Sequence, residues 1–405
     1  MLSITHLSNS VEKLLSQNAP ELTRAARERL VFFVLGVLLA GSIVLRRVAT
    51  TQAHISLGTT VPASHERRLR RCLNEPALAA VPMYGRIVRR VLQRLEPSQR
   101  LFLILDESGH STVVRTLVAA LWYRGRAVPL AWIVWGAYVP HEHSYWSDCA
   151  RLLRQAAELL PTQQPVTVLA DRAFGCPGFT DLVLEQGWDY IVRAQGQTRL
   201  RQADGSECGL PELLSQPGTR FYGRGEAFKK QGWRTLSVVA YWRAPCREPL
   251  LLVSSLAPSW DIVRQYRLRS AIEALFRDWK SSGWQWEASQ VRQVEHQEVL
   301  VLVLALSTLL TLCLGEEAAE QVLKQAQQGG QRRPWHARDS LFRLGRDRLW
   351  QRLWQQDSSE MVWELRQFAA PNWSQECWQA SRSESVVVHV SGRLGRRERR
   401  RELAA

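Results

Sequence analysis

The chain has no C-x-x-C cysteine pair and no charged-then-apolar leader, and its acidic residues are too few to balance its basic ones. Its seven cysteines (Cys72, Cys149, Cys176, Cys208, Cys246, Cys313 and Cys377) are odd in number and scattered over 405 residues. That pattern argues against a disulfide framework and a clustered zinc site, and fits a reducing compartment. The N-terminal stretch MLSITHLSNSVEKLL lacks the order of a secretory signal. Long apolar runs are also missing. Leu30–Leu45 and Val299–Leu314 are each 16 residues, under the roughly 17–25 that span a bilayer as a helix. Gly36, Gly41, Ser42, Ser307, Thr308 and Thr311 fall inside them, so the expectation is two buried helices and no membrane partner. There is no internal repeat.

What is abundant is positive charge. Lys and Arg number 53 against 38 Asp and Glu, a formal net charge of +15 with a pI near 10.1. Apolar residues make up 45%, ordinary for a folded chain and too many for a disordered, collagen-like or coiled-coil one. A folded chain this basic calls for a polyanionic partner, with nucleic acid first and an anionic membrane surface second.

The pattern changes along the chain. Residues 1–98 read as helical, with an apolar helix at 30–48, a break near 58–65, and a basic segment over 65–73 that carries Arg67, Arg68, Arg70 and Arg71. A solvated helix face is the ordinary fate of a charge run, yet at +15 the segment is a candidate for DNA contact. Residues 99–194 alternate: LFLILD (101–106), Thr112–Trp122 and Ala127–Trp135 read as strands. A helix at 144–160 follows, then the strand PVTVLAD (165–171), a helix at 177–186 and a strand at 188–193. Residues 195–257 carry Gly/Pro turns and short β-like runs, read as an all-β insertion. Helices are expected at 259–281, 296–314 and 317–328 within 258–328. A linker at 329–334 leads to a Trp-rich helical region, 335–390, and a basic tail, 391–405, with six arginines, expected to be disordered.

Three carboxylates stand out. Asp106 and Asp171 each end a buried strand, and Glu273 lies on the helix after the insertion. One Asp at a strand end can simply be solvated. Two on neighbouring strands would repel, and bound divalent cations are the common remedy. Ligation by oxygen alone, without a His/Cys set, favours Mg²⁺ or Mn²⁺. Tyr266, Arg269, Glu273 and Lys280 fall near 0°, 300°, 340° and 320° on a helix at about 100° per residue, one polar stripe separate from the apolar one. An acid set among Tyr, Arg and Lys suits a phosphate-bearing ligand. Other residues read as ordinary structure: His141-Glu142-His143 as a loop, Glu107 on the opposite strand face from Asp106, Asp278 and Glu287 as surface charges, and Trp350 with Trp354 as helix–helix core.

The string Tyr266-x2-Arg269-x3-Glu273-x6-Lys280 resembles the YREK signature of bacterial cut-and-paste insertion-sequence transposases. Asp171-Arg172-Ala173-Phe174-Gly175 resembles that family's D-R-G-F-G block, with Ala173 for the usual Gly. Leu105-Asp106-Glu107-Ser108 resembles its first-acid block, and Gly125–Trp132 the strand after it. The likeness spans about 100–285, is weaker over 25–78 and is absent beyond 330. It implies an α/β fold: an RNase H-like catalytic core, a mixed sheet with flanking helices, interrupted by an all-β insertion and bearing helical N- and C-terminal regions. It further implies that Asp106, Asp171 and Glu273 are catalytic and hold two Mg²⁺ per site, with Mn²⁺ as substitute, for in-line attack on DNA phosphodiesters. Several members of the group cut through a hairpin intermediate. Tyr266, Arg269 and Lys280 would contact transposon-end phosphates, Arg172 would lie beside the second acid, and Trp242, with Trp233 in reserve, would hold a flipped base. The partners implied are double-stranded DNA, as terminal inverted repeats and target, and a second protomer. The place implied is the bacterial cytoplasm, on the nucleoid. The alternatives are an inactive or domesticated DNA-binding descendant and, from another class, a membrane-associated basic protein.

Overall fold

The computed structural model describes residues 2–56, 60–78, 81–92, 99–110, 113–141, 144–161, 164–244, 246–328, 340–365 and 387–390. Five helices come first: α1 (Leu2–Asn18), α2 (Arg24–Ala40), α3 (Leu45–Ile55), α4 (Pro62–Leu73) and α5 (Val81–Val91). The apolar run expected as one helix over 30–48 is two, α2 and α3, bent by 92°. Gly41 stops α2 in the left-handed conformation (φ 59°), the usual glycine ending of a helix. Past it, the Ile43 amide donates to the Trp284 carbonyl at 2.6 Å.

Next come β1 (Leu101–His110), β2 (Val114–Tyr123), β3 (Arg126–Gly136), α6 (Tyr145–Leu159), β4 (Val166–Ala170), α7 (Pro177–Glu185) and β5 (Asp189–Arg193). β1, β2 and β3 form an antiparallel meander. β4 pairs parallel to β1, and β5 parallel to β4. That order, β3-β2-β1-β4-β5 with flanking helices, is the RNase H-like core. The central strands are buried on both faces, which is why they read as unbroken apolar runs rather than alternating ones.

The insertion is all-β but does not stand apart as a separate sheet. Its strands, β6 (Arg199–Arg201), β7 (Glu207–Gly209), β8 (Arg220–Ala227), β9 (Arg234–Tyr241) and β10 (Leu250–Ser254), continue the same sheet in the order β5-β10-β9-β8-β6-β7. β10 joins them to the core by pairing antiparallel with β5 (Val253 opposite Val192).

The chain then forms α8 (Asp261–Tyr266), a 3-10 turn over Arg267–Arg269, α9 (Ser270–Trp279), α10 (Val294–Gln328) and α11 (Leu341–Trp354). α10 is one helix of 35 residues, where two were expected. By length and composition its Val294–Gln321 stretch could cross a membrane, but 94% of its most apolar window is buried within the protein. The length argument made from the 16-residue run therefore does not hold, and burial takes its place. Two hydroxyls inside the run have partners: the indole N–H groups of Trp279 and Trp284 both donate to Thr308 Oγ1 (3.0 and 3.1 Å), and Thr311 Oγ1 donates to the Ser307 carbonyl at 2.7 Å. Just before the run, the Trp286 indole donates to Gln297 Oε1 at 2.8 Å. Each buried indole thus keeps its one hydrogen bond. α10 and α11 cross closely where Gly315 and Gly345 face backbone: a Cβ on either would strike the carbonyl of Leu341 or Thr311.

In the C-terminal region, α11 is helical as expected, but Trp350 and Trp354 are 41% and 83% exposed rather than core. Residues 355–365 are not helical, and Trp363 Nε1 donates to Ser10 Oγ of α1 at 3.0 Å. β11 (Val387–Val390) is a strand parallel to β8, not a helix. The tail 391–405 lies outside the described residues.

Candidate active site

Register builds the first part of the site. Leu105 of β1 stands opposite Ala170 of β4 in the last parallel pair of that ladder, so Asp106 and Asp171 follow at neighbouring positions. Asp171 lies just past the end of β4, whereas Asp106, expected to end its strand, sits inside β1, which runs on to His110 paired with β2 (Asp106 opposite Val118). Asp171 then caps a 3-10 turn, its Oδ1 accepting the Ala173 amide at 2.8 Å. Ala173 is exposed, so a methyl where the family pattern has Gly is easily housed. Gly175 is different: a Cβ there would strike the Arg193 carbonyl, so glycine is what lets the Asp171–Arg172 turn lie against the end of β5.

The helix expected over 259–281 tightens to a 3-10 turn at Arg267–Arg269. In such a turn residues i and i+3 eclipse, which puts Tyr266 and Arg269 on one side. Both line an open cleft of about 500 Å³ together with Asp171, Arg172, Ala173, Arg193 and Gln195. Arg269 joins two of the acids: Nη1 donates to Asp106 Oδ2 at 3.1 Å and Nη2 to Glu273 Oε1. Asp106 and Arg269 side chains are each 18% exposed, whereas Glu273 is largely open to solvent.

The electrostatics follow from that burial. Burial pushes the Asp106 carboxyl up to about 6. Arg269 and the Glu107 amide oppose the rise, while Asp171 and Glu273 add to it. Burial works against the Arg269 charge too, but Tyr266, Glu273, Asp106 and Asp171 outweigh it and hold the guanidinium above its ordinary value. Burial lifts the Tyr266 hydroxyl to about 12. Oxygen-only donors suit a hard cation such as Mg²⁺. Yet among the described residues no three His, Cys, Asp or Glu side chains are grouped closely enough to share a metal. The donor chemistry fits and the present side-chain arrangement does not, since a guanidinium stands between Asp106 and Glu273.

Other expected residues are placed as follows. Lys280 is not within the helix that carries the stripe: it is the residue after α9, outside helical geometry (φ −85°, ψ −133°), and it pairs with Glu287 at 3.0 Å. Arg172 reaches Glu248 Oε2 at 3.0 Å, and Arg193 approaches the same oxygen at 3.7 Å. Glu248 lies on the β9–β10 loop, which Trp242 begins. The Trp242 indole donates to the Cys246 carbonyl at 2.9 Å. Trp233 lies under the Arg201 guanidinium. On α4, Arg67, Arg70 and Arg71 are exposed, Arg70 pairing with Glu66, while Arg68 rests over the Phe32 ring and donates to the Glu28 carbonyl. Glu107 meets Arg115 and Tyr145 instead of the partners of Asp106. His141 pairs with Asp148, and Glu142 and His143 lie outside the described residues. Asp278 is not a surface charge: it is buried against Arg126. Arg193, Gln195 and Glu248 were not anticipated. The strand-end reasoning that found Asp171 could have found Arg193, which ends the next parallel strand.

Residues 115–310 match the family model described as the transposase DDE domain. The match takes in Asp171, Arg269 and Glu273 and begins after Asp106. No curated protein matches. Among solved structures, one described as a piggyBac transposase synaptic complex with hairpin DNA aligns with a TM-score of 0.45 and 12% identity, over 85% of this chain and 76% of that one. The domain match supports reading this chain as a DNA transposase.

Proposed function

We propose that the protein is a metal-dependent cut-and-paste transposase of the bacterial insertion-sequence kind, with Asp106, Asp171 and Glu273 as its acids. The observation that carries this is the Leu105–Ala170 register, which brings the Asp106 and Asp171 carboxylates to neighbouring positions where the β1–β4 pairing ends, with Glu273 linked to Asp106 through Arg269. Two Mg²⁺ ions held there, or Mn²⁺ in their place, would activate water or a 3′-hydroxyl and stabilise charge at the attacked phosphodiester. The chain's own groups do the remaining work. Tyr266, Arg269, Arg172 and Arg193 line a cleft open enough for a phosphate backbone. Lys280, set off at the end of α9, would reach a phosphate farther along the same strand. Exposed Arg67, Arg70 and Arg71 offer further phosphate contacts, with Arg68 the least available of the four. Trp242, on the loop beside Arg172, suits an unstacked base. Two transposon ends must be held together, so the working unit is a dimer, acting on DNA in the cytoplasm. The test uses duplexes bearing the inverted repeats that flank the gene. Cleavage at the repeat boundary with Mg²⁺, abolished by EDTA, is the expected result. Full cleavage in chelator would overturn the metal assignment.

A further inference from the structure

We infer that Arg269 is an exchangeable internal cation, and that its transfer from the acids to a DNA phosphate couples DNA binding to metal loading. The inference rests on the three acids being the metal ligands. The guanidinium touches Asp106 at 3.1 Å and Glu273 from its other amino group, and no described trio of ligand side chains is yet close enough to share an ion. An ionised carboxylate as enclosed as Asp106 needs a compensating cation beside it. Arginine supplies one that cannot be titrated away.

A divalent ion needs the same oxygens that Arg269 now holds, Asp106 Oδ2 and Glu273 Oε1. Cation and guanidinium would also repel at that distance. For both acids to turn onto a metal, Arg269 must leave them. Its way out is into the cleft, where Arg172, Arg193, Gln195 and Tyr266 supply donors but the wall offers few acceptors besides Asp171. A phosphodiester lying there gives the fork of N–H groups a bidentate acceptor. DNA thereby draws Arg269 off the acids, and metal on the acids drives Arg269 toward DNA. Linkage requires the two effects to be equal: the factor by which DNA tightens metal binding is the factor by which metal tightens DNA binding. In the absence of DNA the acids are thus kept from metal, which would hold back cleavage until an end is in place.

The experiment measures Mn²⁺ binding to the full chain by EPR, alone and with a short duplex, after subtracting the Mn²⁺ taken up by the duplex itself. For the unaltered protein, DNA should tighten Mn²⁺ binding by roughly 5–150-fold. Arg269→Gln should bind Mn²⁺ without DNA nearly as tightly as the unaltered protein does with it, and DNA should add little more. Arg269→Lys, a point charge that cannot bridge both acids, should lie between them and guards against a folding defect in the glutamine variant. Equal Mn²⁺ affinity with and without DNA, or an Arg269→Gln variant unchanged in DNA-free affinity, would overturn the coupling. Asp106→Asn and Glu273→Gln separate the two ideas. If neither weakens Mn²⁺ binding, the metal assignment itself fails. If both do while Arg269 variants change nothing, only the coupling fails.

Discussion

Two sets of arginine–carboxylate pairs occupy this molecule, and water decides what each can do. Between α10 and α11, Arg348 donates to Glu317 Oε1 at 2.9 Å, while Arg352 meets Asp357 at 3.1 Å and the Ser359 carbonyl at 2.8 Å. The Arg352 side chain is 1% exposed. At the cleft, Arg172 meets a Glu248 side chain that is 68% exposed. The contacts are alike in length. A charge buried as deeply as Arg352 cannot change partner without passing through an unpaired, desolvated state that costs several kcal/mol, so its pairs, with Glu317 at 3.3 Å among them, fasten α11 and the segment after it to α10. A wet pair is worth about 0–1 kcal/mol and gives way to a phosphate. Arg269 lies between these limits, buried enough to hold the acids and open enough to leave them.

The largest expected effect is at Glu273. Glu273→Gln keeps shape and hydrogen bonding but removes the charge a metal needs. Cleavage should fall by more than the roughly 10–100-fold that losing a mere supporting partner of a metal ligand costs. End binding should hold within a few-fold, since the arginines remain and one source of repulsion is gone. A gel assay scoring bound and cut DNA together reads both. Cleavage at the unaltered rate would show that the carboxylate on α9 has no part in the chemistry.

The buried set is broken at Arg352. Arg352→Ala leaves Glu317 and Asp357 with Arg348 alone and takes the donor from the Ser359 carbonyl, and should lower the free energy of unfolding by about 1–3 kcal/mol, read as a drop in the urea midpoint. DNA binding per folded molecule should not change. A loss below about 1 kcal/mol would mean this network behaves like the exposed pairs, and the contrast between the two sets would disappear.

How far the sequence reached depended on whether a signal was local. LFLILD and PVTVLAD are strands because burial on both faces leaves an unbroken apolar run, and they are neighbours as expected, but their parallel register is a long-range pairing that the runs themselves do not carry. Ala173 could be placed in a family block, but only its exposure showed that the methyl is tolerated. Lys280 was misplaced because helical periodicity says which face a residue shares and not where the helix stops, and α9 ends one residue before it. Trp350 and Trp354 have the spacing of a core pair, but α11 buries Leu341, Phe342, Leu349 and Arg352 instead. The side of a short helix that turns inward is set by its neighbours, here by Gly315 and Gly345. The joining of the insertion to the core sheet depends on the β5–β10 pairing, a long-range contact with no local trace. Arg269 bridging two acids likewise needs side chains from three elements.

A smaller effect tests burial through pH. Asp278 is buried, which lifts its carboxyl to about 6, with Arg126 and then Arg277 and Arg346 opposing. A folded value raised above the unfolded one means the folded state binds the proton more tightly. The stabilisation it gives is therefore complete below about pH 4 and is lost as pH rises toward and through 6. Asp278→Asn mimics the protonated form. It should leave stability unchanged near pH 4 and raise it by up to about 3 kcal/mol at pH 8, since each tenfold difference in proton affinity is worth about 1.36 kcal/mol. Urea titrations at the two pH values check this, and destabilisation at pH 8 would mean the Arg126 pair outweighs the burial of Asp278.

The smallest expected effect is at Glu248, and its sign is the informative part. The carboxylate stands where a phosphate would meet Arg172 and Arg193, so the side chain either competes with DNA or holds the two arginines in place for it. Competition fits the geometry better: Glu248 is the most exposed member of the trio, and although it meets Arg172 at 3.0 Å it reaches Arg193 only at 3.7 Å, a poor brace for the pair together. Glu248→Gln should then tighten binding to duplex DNA by up to about fivefold at low salt, the equivalent of about 1 kcal/mol for a wet pair. Removing any negative charge helps a protein bind DNA, so the comparison must be with Glu158→Gln on α6, an exposed glutamate away from the cleft lining. The gain at Glu248 should exceed the gain at Glu158 and shrink as salt screens both. Weaker binding by Glu248→Gln would identify the carboxylate as a brace for Arg172 and Arg193, and would move the cleft pairs to the structural side of the comparison with α10 and α11.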